Sequence, residues 1–482
     1  MTDKQGVTHI NPEFFLPDFI DVYGGYPFVE NAVINISGAK NEVLGSIAAA
    51  VLTDKPLKLR NVPHIQDVLD LGMALIELGV KVDYDPQTRE MNLWAKNITS
   101  NVLSNNTMKF RASYYLWGAL LSRFAITKEF NSIEAKLPGG CNFGNRGYDF
   151  HFDLLRQVLG ADIKNHDNGF TIVLPTHPNT SDTLYSTRAV SHGATFHYLL
   201  TSSITNKTDY MYNTALEPEC ANLIHLLRTM GAENIRGQNA TAIISGAHKG
   251  LLNGGEYTIK PDRMETGFYA LLALATRSRV CLRNVDLYAC RPWMNLLQEF
   301  THCRAEKVGN NSDVIFDFRD IDFGKLGGKN IIVSPFPGKE TDMEQLWLSV
   351  LPMANSASTI IDPIWPGRLG TPEQADEILK FGIKMKYNNV FGGNALKIDI
   401  APSNIHAVPD GVYAANLRGA AGMIIAAAAA DGKTRIYKPG FAMRGHPNLI
   451  QNMQQSLGIK IDASSTGQYM NALPYPDTAR QR

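Results

Sequence analysis

The chain has 482 residues, which is too long for one ordinary hydrophobic core and predicts two domains or a repeat architecture. Its 46 basic and 46 acidic residues balance without long runs of one sign, which argues against a surface that coats nucleic acid or binds membranes. Five cysteines without CxxC pairs suggest a reducing compartment and no metal site, and no segment resembles a leader or a membrane span, so we expect a soluble, cytoplasmic protein.

A short phrase recurs along the chain at intervals of about 70 to 80 residues, and it reads apolar, glycine, small or apolar, charged. Its copies lie at 78–81, 159–162, 230–233, 302–305 (a degenerate copy), 381–384 and 457–460. These six copies predict a unit that is repeated six times.

Each copy ends a predicted amphipathic helix, and its glycine is expected to cap that helix before an extended segment. A short strand precedes the amphipathic helix, and a more apolar helix precedes the strand. The apolar helices are predicted at 43–52, 113–124, 194–204, 267–275, 344–353 and 419–430. Because these helices are apolar all round, we expect them to be buried among one another.

Three units per core is the natural division. We therefore predict a first domain over 40–260 and a second over 1–39 plus 261–482, with crossings near 38–40 and 259–262.

Polar and charged residues open all six apolar helices, at 38–41, 110–111, 191–193, 262–265, 341–342 and 416–418. A helix N-terminus presents free amide donors and a partial positive charge. Six such ends at one cleft, with added lysine and arginine, would make a strong site for anions.

The segment 136–147 contains four glycines and a proline around Cys141, which is typical of a mobile surface loop. A thiol near Arg146 and an anion site could have a lowered pKa and serve as a nucleophile or a proton donor. The spacing alone is equally compatible with an ordinary loop thiol.

Several dispersed segments occur together and in order: GAKNEVLGSIAAAVL (38–52), RASYYLWGALLSRF (111–124), LPGGCNFGNRGYDFH (137–151), EPE (217–219), PDRMETG (261–267), TDM (341–343) and NLRGAA (416–421), with Arg368 and Arg444. Together they resemble UDP-N-acetylglucosamine enolpyruvyl transferases over all six units. The resemblance implies an α/β fold, an inside-out α/β barrel of two domains with three repeats each, which hold their substrates in the cleft between them.

The resemblance also implies roles for individual residues. Cys141 matches the loop cysteine that takes part in proton transfer, Asp342 matches the base for the acceptor hydroxyl, and Lys40 completes the catalytic set. The residues that match the phosphoenolpyruvate site are Lys40, Arg111, Arg146, Arg368, Arg418 and Arg444. Those on the acceptor side are Asn41, Tyr115, Arg146, Asp149, Ser191, His192, Gly193 and Asp342. The chemistry needs no metal and no organic cofactor.

Taken singly, each of these residues has an ordinary alternative role in helix capping or surface ion pairing, and only their joint order favours function. We interpret Glu217, Glu219, Asp262, Arg263 and Glu265 as structural.

The acceptor half departs from the family pattern. Asn416 stands in place of an aspartate, Ala189 in place of a diphosphate-binding lysine with Arg188 beside it, Tyr115 in place of a tryptophan, and Gly147 and Tyr148 in place of proline and valine.

These departures leave three hypotheses about the function open. UDP-N-acetylglucosamine is the favoured acceptor, and the first alternative is 3'-enolpyruvyl transfer to uridine monophosphate, as in nikkomycin and polyoxin biosynthesis. The second is a catalytically silent nucleotide-binding paralogue. A shikimate-type enzyme is disfavoured because that type typically lacks the loop cysteine. The expected partners are phosphoenolpyruvate and a uridine nucleotide, without nucleic acid or membrane, and the oligomeric state is left open.

Overall fold

Helices and short strands alternate along the chain in the computed structural model, which describes residues 16–103, 105–138, 147–167, 169–177, 179–239, 242–309, 312–366 and 372–464. The helices are Lys40–Ala48 (α1), Gln66–Glu77 (α2), Tyr115–Thr127 (α3), Asp149–Leu154 (α4), His192–Ser202 (α5), Pro218–Thr229 (α6), Arg263–Ala275 (α7), Leu287–Thr301 (α8), Thr341–Trp347 (α9), Pro372–Leu379 (α10), Leu417–Ala429 (α11), Gly440–Met443 (α12) and Leu449–Gln451 (α13). The strands are Phe19–Gly24 (β1), Val33–Asn35 (β2), Leu57–Arg60 (β3), Lys81–Asp85 (β4), Glu90–Trp94 (β5), Ser132–Ala135 (β6), Asp162–His166 (β7), Gly169–Val173 (β8), Thr183–Ser186 (β9), Asp209–Tyr212 (β10), Ile235–Asn239 (β11), Ala242–Ser245 (β12), Gly255–Thr258 (β13), Arg279–Arg283 (β14), Glu306–Val308 (β15), Asp313–Asp317 (β16), Asn330–Ile332 (β17), Ser358–Asp362 (β18), Lys384–Val390 (β19), Ala395–Ala401 (β20), Val412–Tyr413 (β21), Gly432–Tyr437 (β22) and Lys460–Ala463 (β23).

The described strands form six small sheets that share one pairing pattern. Five sheets have four strands, in the orders β13-β3-β5-β4, β11-β12-β10-β9, β15-β16-β14-β2, β17-β18-β20-β19 and β21-β22-β1-β23. In each, one parallel pair continues into two antiparallel pairs. The sixth, β6-β8-β7, has a parallel bridge between Val102 and Glu134 where the others have the parallel strand. The recurring phrase in the sequence therefore corresponds to a recurring local topology.

The apolar helices lie in two separate hydrophobic cores. The first core draws its buried residues from between Val43 and Ile259, and the second from 16–36 and from between Met264 and Ile461. Helices α1, α3 and α5 pack on one another in the first core, and α7, α9 and α11 do so in the second. Burial on all sides explains why these helices lack a polar stripe.

Left-handed backbone marks the end of the amphipathic helix in each recurring phrase. Five of the phrases place glycine there with positive φ, at Gly79, Gly160, Gly231, Gly382 and Gly458. In the degenerate copy the left-handed residue is His302, with φ 59°, one position before the expected one.

Two neighbouring segments connect the cores. Gly38 pairs with Pro261 in an antiparallel bridge, and backbone hydrogen bonds run from Ala39 N to Lys260 O (2.8 Å) and from Asp262 N to Ser37 O (2.8 Å). These bonds lie at the segments 38–40 and 259–262, near which we predict the crossings, and the division into two domains stays a prediction. Among the described residues no helix is long and apolar enough to span a bilayer, and the cytoplasmic localisation also stays a prediction.

Candidate active site

A cavity of about 300 Å³ is lined by residues from both cores. Residues at the start of all six apolar helices contribute to its wall. The wall residues from these starts are Lys40, Asn41, Arg111, Ala112, Tyr114, Tyr115, Ser191, His192, Gly193, Arg263, Glu340, Thr341, Asp342, Leu417 and Arg418. The convergence of helix N-termini that the sequence suggested is thus present in the structure.

A buried carboxylate holds two of the cations that line this cavity. Asp67, near the start of α2, lies 2.7 Å from Lys40 Nζ and accepts hydrogen bonds from Arg444 Nε (2.7 Å) and Nη2 (3.1 Å). Burial alone would raise the pKa of Asp67, but Arg444 and Lys40 hold it well below its usual range. Asp67 therefore stays ionised and fixes both cations across the boundary between the two cores.

A second ion pair joins α9 to α11. Arg418 Nη2 donates to Asp342 Oδ2 at 3.2 Å. The other terminal nitrogen, Arg418 Nη1, is buried and has no hydrogen-bond partner among the described residues. A buried donor without an acceptor is costly, so an anion in the cavity would satisfy it.

Side-chain caps determine how three of the helices begin at the cavity. Ser191 Oγ accepts from Ala194 N (3.2 Å), Asp262 Oδ1 accepts from Met264 N (2.7 Å), and Asn416 Oδ1 accepts from Gly419 N (2.8 Å). Asparagine caps a helix as well as aspartate does. The helix start at Asn416 is therefore preserved although the charge of the family aspartate is missing.

Most of the residues predicted to bind the acceptor lie together at the cavity. Asn41, Tyr115, Ser191, His192 and Gly193 all line the cavity. Tyr115 is buried, and the His192 ring stacks on Phe196 with centroids 4.3 Å apart. Asp149, in contrast, opens α4, pairs with Arg188 and is not among the described residues that line the cavity.

Arg111 is held at the edge of the cavity by the segment that follows the Cys141 loop. Its Nη2 donates to Gly147 O at 2.8 Å, and its guanidinium lies 4.3 Å from the ring centroid of Tyr148. Cys141, Arg146 and Arg368 lie outside the described residues.

The sequence did not single out several residues of the wall. Asp67 looked like an ordinary acidic residue in the first turn of an amphipathic helix. Arg263 and Glu217, which we had interpreted as structural, line the cavity, and so does Glu340. The available signal was the EPE and PDR motifs, since charged residues at the end of an apolar segment rarely lack a polar partner or a ligand.

Comparisons with known proteins find relatives along most of this chain. A family model described as EPSP synthase (3-phosphoshikimate 1-carboxyvinyltransferase) matches residues 29–453. The UDP-N-acetylglucosamine 1-carboxyvinyltransferase 2 of Staphylococcus aureus is 31% identical over 449 residues, which cover 92% of this chain and 98% of the relative. The UDP-N-acetylglucosamine 1-carboxyvinyltransferase of Clostridium botulinum is 30% identical, with coverage of 92% and 99%.

Solved structures share the fold. The enolpyruvyl transferase NikO from Streptomyces tendae superimposes with a TM-score of 0.78 at 20% identity, covering 93% of this chain and 99% of NikO. EPSP synthase from Acinetobacter baumannii gives a TM-score of 0.67 at 14% identity, with coverage of 92% and 99%. The fold is therefore the mixed α/β fold of enolpyruvyl transferases.

Fold and relatives together define a carboxyvinyl-transferring enzyme. The chain belongs to the EPSP synthase/enolpyruvyl transferase family, which confirms the resemblance seen in the sequence. The family model and the relatives carry the names of different acceptors, so the family does not by itself assign one.

Proposed function

We propose that this enzyme transfers the enolpyruvyl group of phosphoenolpyruvate to a hydroxyl of a uridine nucleotide and releases phosphate. The observation that carries the proposal is the cavity in which Lys40, Arg418 and Arg444 lie together with the carboxylate of Asp342. Relatives named as UDP-N-acetylglucosamine carboxyvinyltransferases support it.

Phosphoenolpyruvate carries a phosphate and a carboxylate, and both need cationic donors in a site with little water. The unsatisfied Nη1 of Arg418 and the helix N-termini supply such donors from the described part of the cavity. Lys40, Arg111 and Arg444 add further charge. Arg146 and Arg368 complete the proposed set.

The reaction consists of an addition followed by an elimination. In the addition, the acceptor oxygen attacks C2 while C3 gains a proton; in the elimination, C3 loses a proton and the bond from C2 to the phosphate oxygen breaks. This requires a proton donor and a base on opposite sides of the reacting carbons. We assign the proton donor to Cys141 and the base for the acceptor hydroxyl to Asp342.

For the architecture, we propose that the two cores are two domains of three units each, arranged as an inside-out α/β barrel. The common pairing pattern of the six sheets supports this division. In this proposed arrangement the substrates lie between the two domains.

UDP-N-acetylglucosamine is the favoured acceptor because the relatives carry its name. One contact favours uridine monophosphate instead. Where the family has its diphosphate-binding lysine, this chain has Ala189, and the neighbouring Arg188 is paired with Asp149 and lies 4.9 Å from the Phe150 ring centroid. An acceptor with one phosphate needs fewer cations than a diphosphate does.

The test is phosphate release from phosphoenolpyruvate with each acceptor separately. Turnover with the sugar nucleotide alone assigns that acceptor, and turnover with uridine monophosphate alone assigns the alternative. The absence of phosphate release with both would contradict the proposed transfer.

Cys141→Ser serves as the control for the loop. We expect it to lose turnover, because the hydroxyl of serine is a much weaker acid than a thiol. Fosfomycin, which alkylates the loop cysteine of the family, should add its mass to the unmodified protein and not to the variant. An intact mass without an adduct would argue against the proposed arrangement of this loop.

A further inference from the structure

Two carboxylates pair with one guanidinium on the wall of the cavity, and a third carboxyl group lies near them. Arg263 Nε lies 3.0 Å from Glu219 Oε1, and Arg263 Nη1 is paired with Glu340 Oε2. Glu217 lines the cavity two residues before Glu219. One guanidinium therefore has two carboxylate partners, with a third carboxyl group nearby.

Each carboxylate has an oxygen that is not satisfied. Glu217 Oε2, Glu219 Oε2 and Glu340 Oε1 are buried and have no hydrogen-bond partner among the described residues. The residue Glu340 is only 9% exposed, yet it lines the cavity. Burial raises the pKa of Glu340 to about 7, although Arg263 opposes this. A ligand that donates hydrogen bonds to these buried acceptors would offset the free-energy cost of leaving them unpaired.

The chemistry of these three carboxyl groups limits the class of ligand that they can bind. In the described part of the chain no three acidic, histidine or cysteine side chains are spaced to hold a metal ion. Glu340 lies two residues before Asp342, the proposed base, at the same start of α9. Both residues line the cavity, so a donor bound by Glu340 would share the cavity with the hydroxyl that reacts.

We propose that Glu340 and Glu217 bind a second hydroxyl of the acceptor, adjacent to the reacting one, so that the site selects a vicinal diol. This inference rests on the proposed function. Both candidate acceptors contain such a pair, in the ribose of uridine monophosphate and in the sugar ring of UDP-N-acetylglucosamine. The chemistry recognised is the same in either case.

The experiment compares each parent acceptor with its analogue that lacks the neighbouring hydroxyl: 2'-deoxyuridine monophosphate, and UDP-N-acetylglucosamine deoxygenated at C4. The measured quantity is the ratio of kcat/KM between parent and deoxy acceptor on one enzyme preparation, so the fraction of active protein cancels. For the unmodified enzyme above about pH 7, where Glu340 is ionised, we expect a ratio of about 10 to 100, the size of a hydrogen bond to a charged group. The pair in which the parent turns over identifies the source of the diol.

Glu340→Gln and Glu217→Gln should lower this ratio to below about 3, because a neutral amide is a weaker acceptor than a carboxylate. Glu219→Gln is the matched control: it removes a carboxylate from the same guanidinium, but Glu219 does not line the cavity. It should retain the ratio of the unmodified enzyme.

A ratio near 1 in the unmodified enzyme, or a ratio unchanged in both Glu340→Gln and Glu217→Gln, would overturn the inference while transfer itself stands. Failure of both parent acceptors to release phosphate would instead overturn the proposed function. The two failures are therefore distinguishable.

Discussion

Asp67 is the residue on which two cations of the cavity depend. It belongs to the first core, as Lys40 does, whereas Arg444 belongs to the second. We expect Asp67→Asn to lower kcat/KM by about 10- to 100-fold, because small misplacements of binding groups have effects of this size. Steady-state phosphate release measures it. Asp70→Asn, which changes the next acid of α2 outside the cavity wall, should leave kcat/KM within about threefold of the unmodified value.

Asp67→Asn should also lower the free energy of unfolding, by an amount that depends on pH. Removing one partner of a buried ion pair costs about 3 kcal/mol. Since the folded-state pKa of Asp67 is lowered, its contribution is present above its ordinary pKa of about 4 and is lost as the pH falls further. Urea unfolding from pH 7 to pH 3 should show the difference between Asp67→Asn and the unmodified protein shrinking only below about pH 4. A difference that is constant over this range would refute the role given to Asp67.

Among single residues, the sequence predicted those whose chemistry is visible in a motif. Lys40, Asp342 and Arg418 were named and line the cavity. Asp67 was not, because a carboxylate in the first turn of a helix normally interacts with the helix dipole. Only the ion pairs with Lys40 in α1 and with Arg444, which follows α12, show that two cations reach it.

Among the elements, α11 begins at the cavity through its cap. Asn416→Ala should lower the free energy of unfolding by about 1 kcal/mol, because the Gly419 amide loses its acceptor. Asn416→Asp should retain the unmodified stability within about 0.5 kcal/mol, since aspartate caps equally well. Urea denaturation measures both. Equal losses in the two variants would mean that the cap does not stabilise this helix.

The glycines that end the amphipathic helices permit a second prediction. Gly79 has φ 92°, and a Cβ there would lie 2.4 Å from Thr99 Oγ1. Gly250 has a similar φ of 85°, but a Cβ would meet nothing within 4 Å. Both alanine variants carry the backbone strain of about 1 kcal/mol, and Gly79→Ala adds overpacking of about 1 kcal/mol or more. Chemical unfolding should rank Gly79→Ala as the less stable, and equal stabilities would contradict the packing argument.

Helix and strand positions could be predicted because hydrophobic periodicity repeats six times. The parallel edge strand of each four-stranded sheet could not, since β2, β9, β13, β17 and β21 are short and come from outside the helical unit that they complete. Their place is determined by tertiary pairing and not by local pattern.

At the scale of the whole molecule, buried carboxyls lie where the chain crosses between the cores. Glu265 Oε2 accepts from Ser37 N (2.8 Å) and Ser37 Oγ (2.5 Å), and burial raises the pKa of Glu265 to about 8. A raised pKa means that the folded protein holds the proton more tightly. The stability due to Glu265 is therefore fully present below about pH 4 and is lost as the pH rises toward 8.

Glu265→Gln should remove this dependence. The variant is expected to gain on the order of 2 kcal/mol relative to the unmodified protein between pH 6 and pH 8.5. Unfolding free energies across this range measure the effect. Parallel pH profiles for the two proteins would show that Glu265 does not titrate in it.

The division into two cores could be predicted from the count of units and the site of the crossings. The cavity between them depends on how the cores face each other, and no local pattern in the chain encodes that orientation.

The paired crossings have a mechanical consequence. Asp262 caps α7 in the second core and also accepts from Lys40 N, the first residue of α1 in the first core, at 2.9 Å. Two segments joined by backbone hydrogen bonds constrain each other more than a single linker would. Because the Lys40 amide is bonded to Asp262 at the crossing, the backbone that carries this lysine is held by both cores, and a change in their relative orientation would displace it less than a residue far from the crossing.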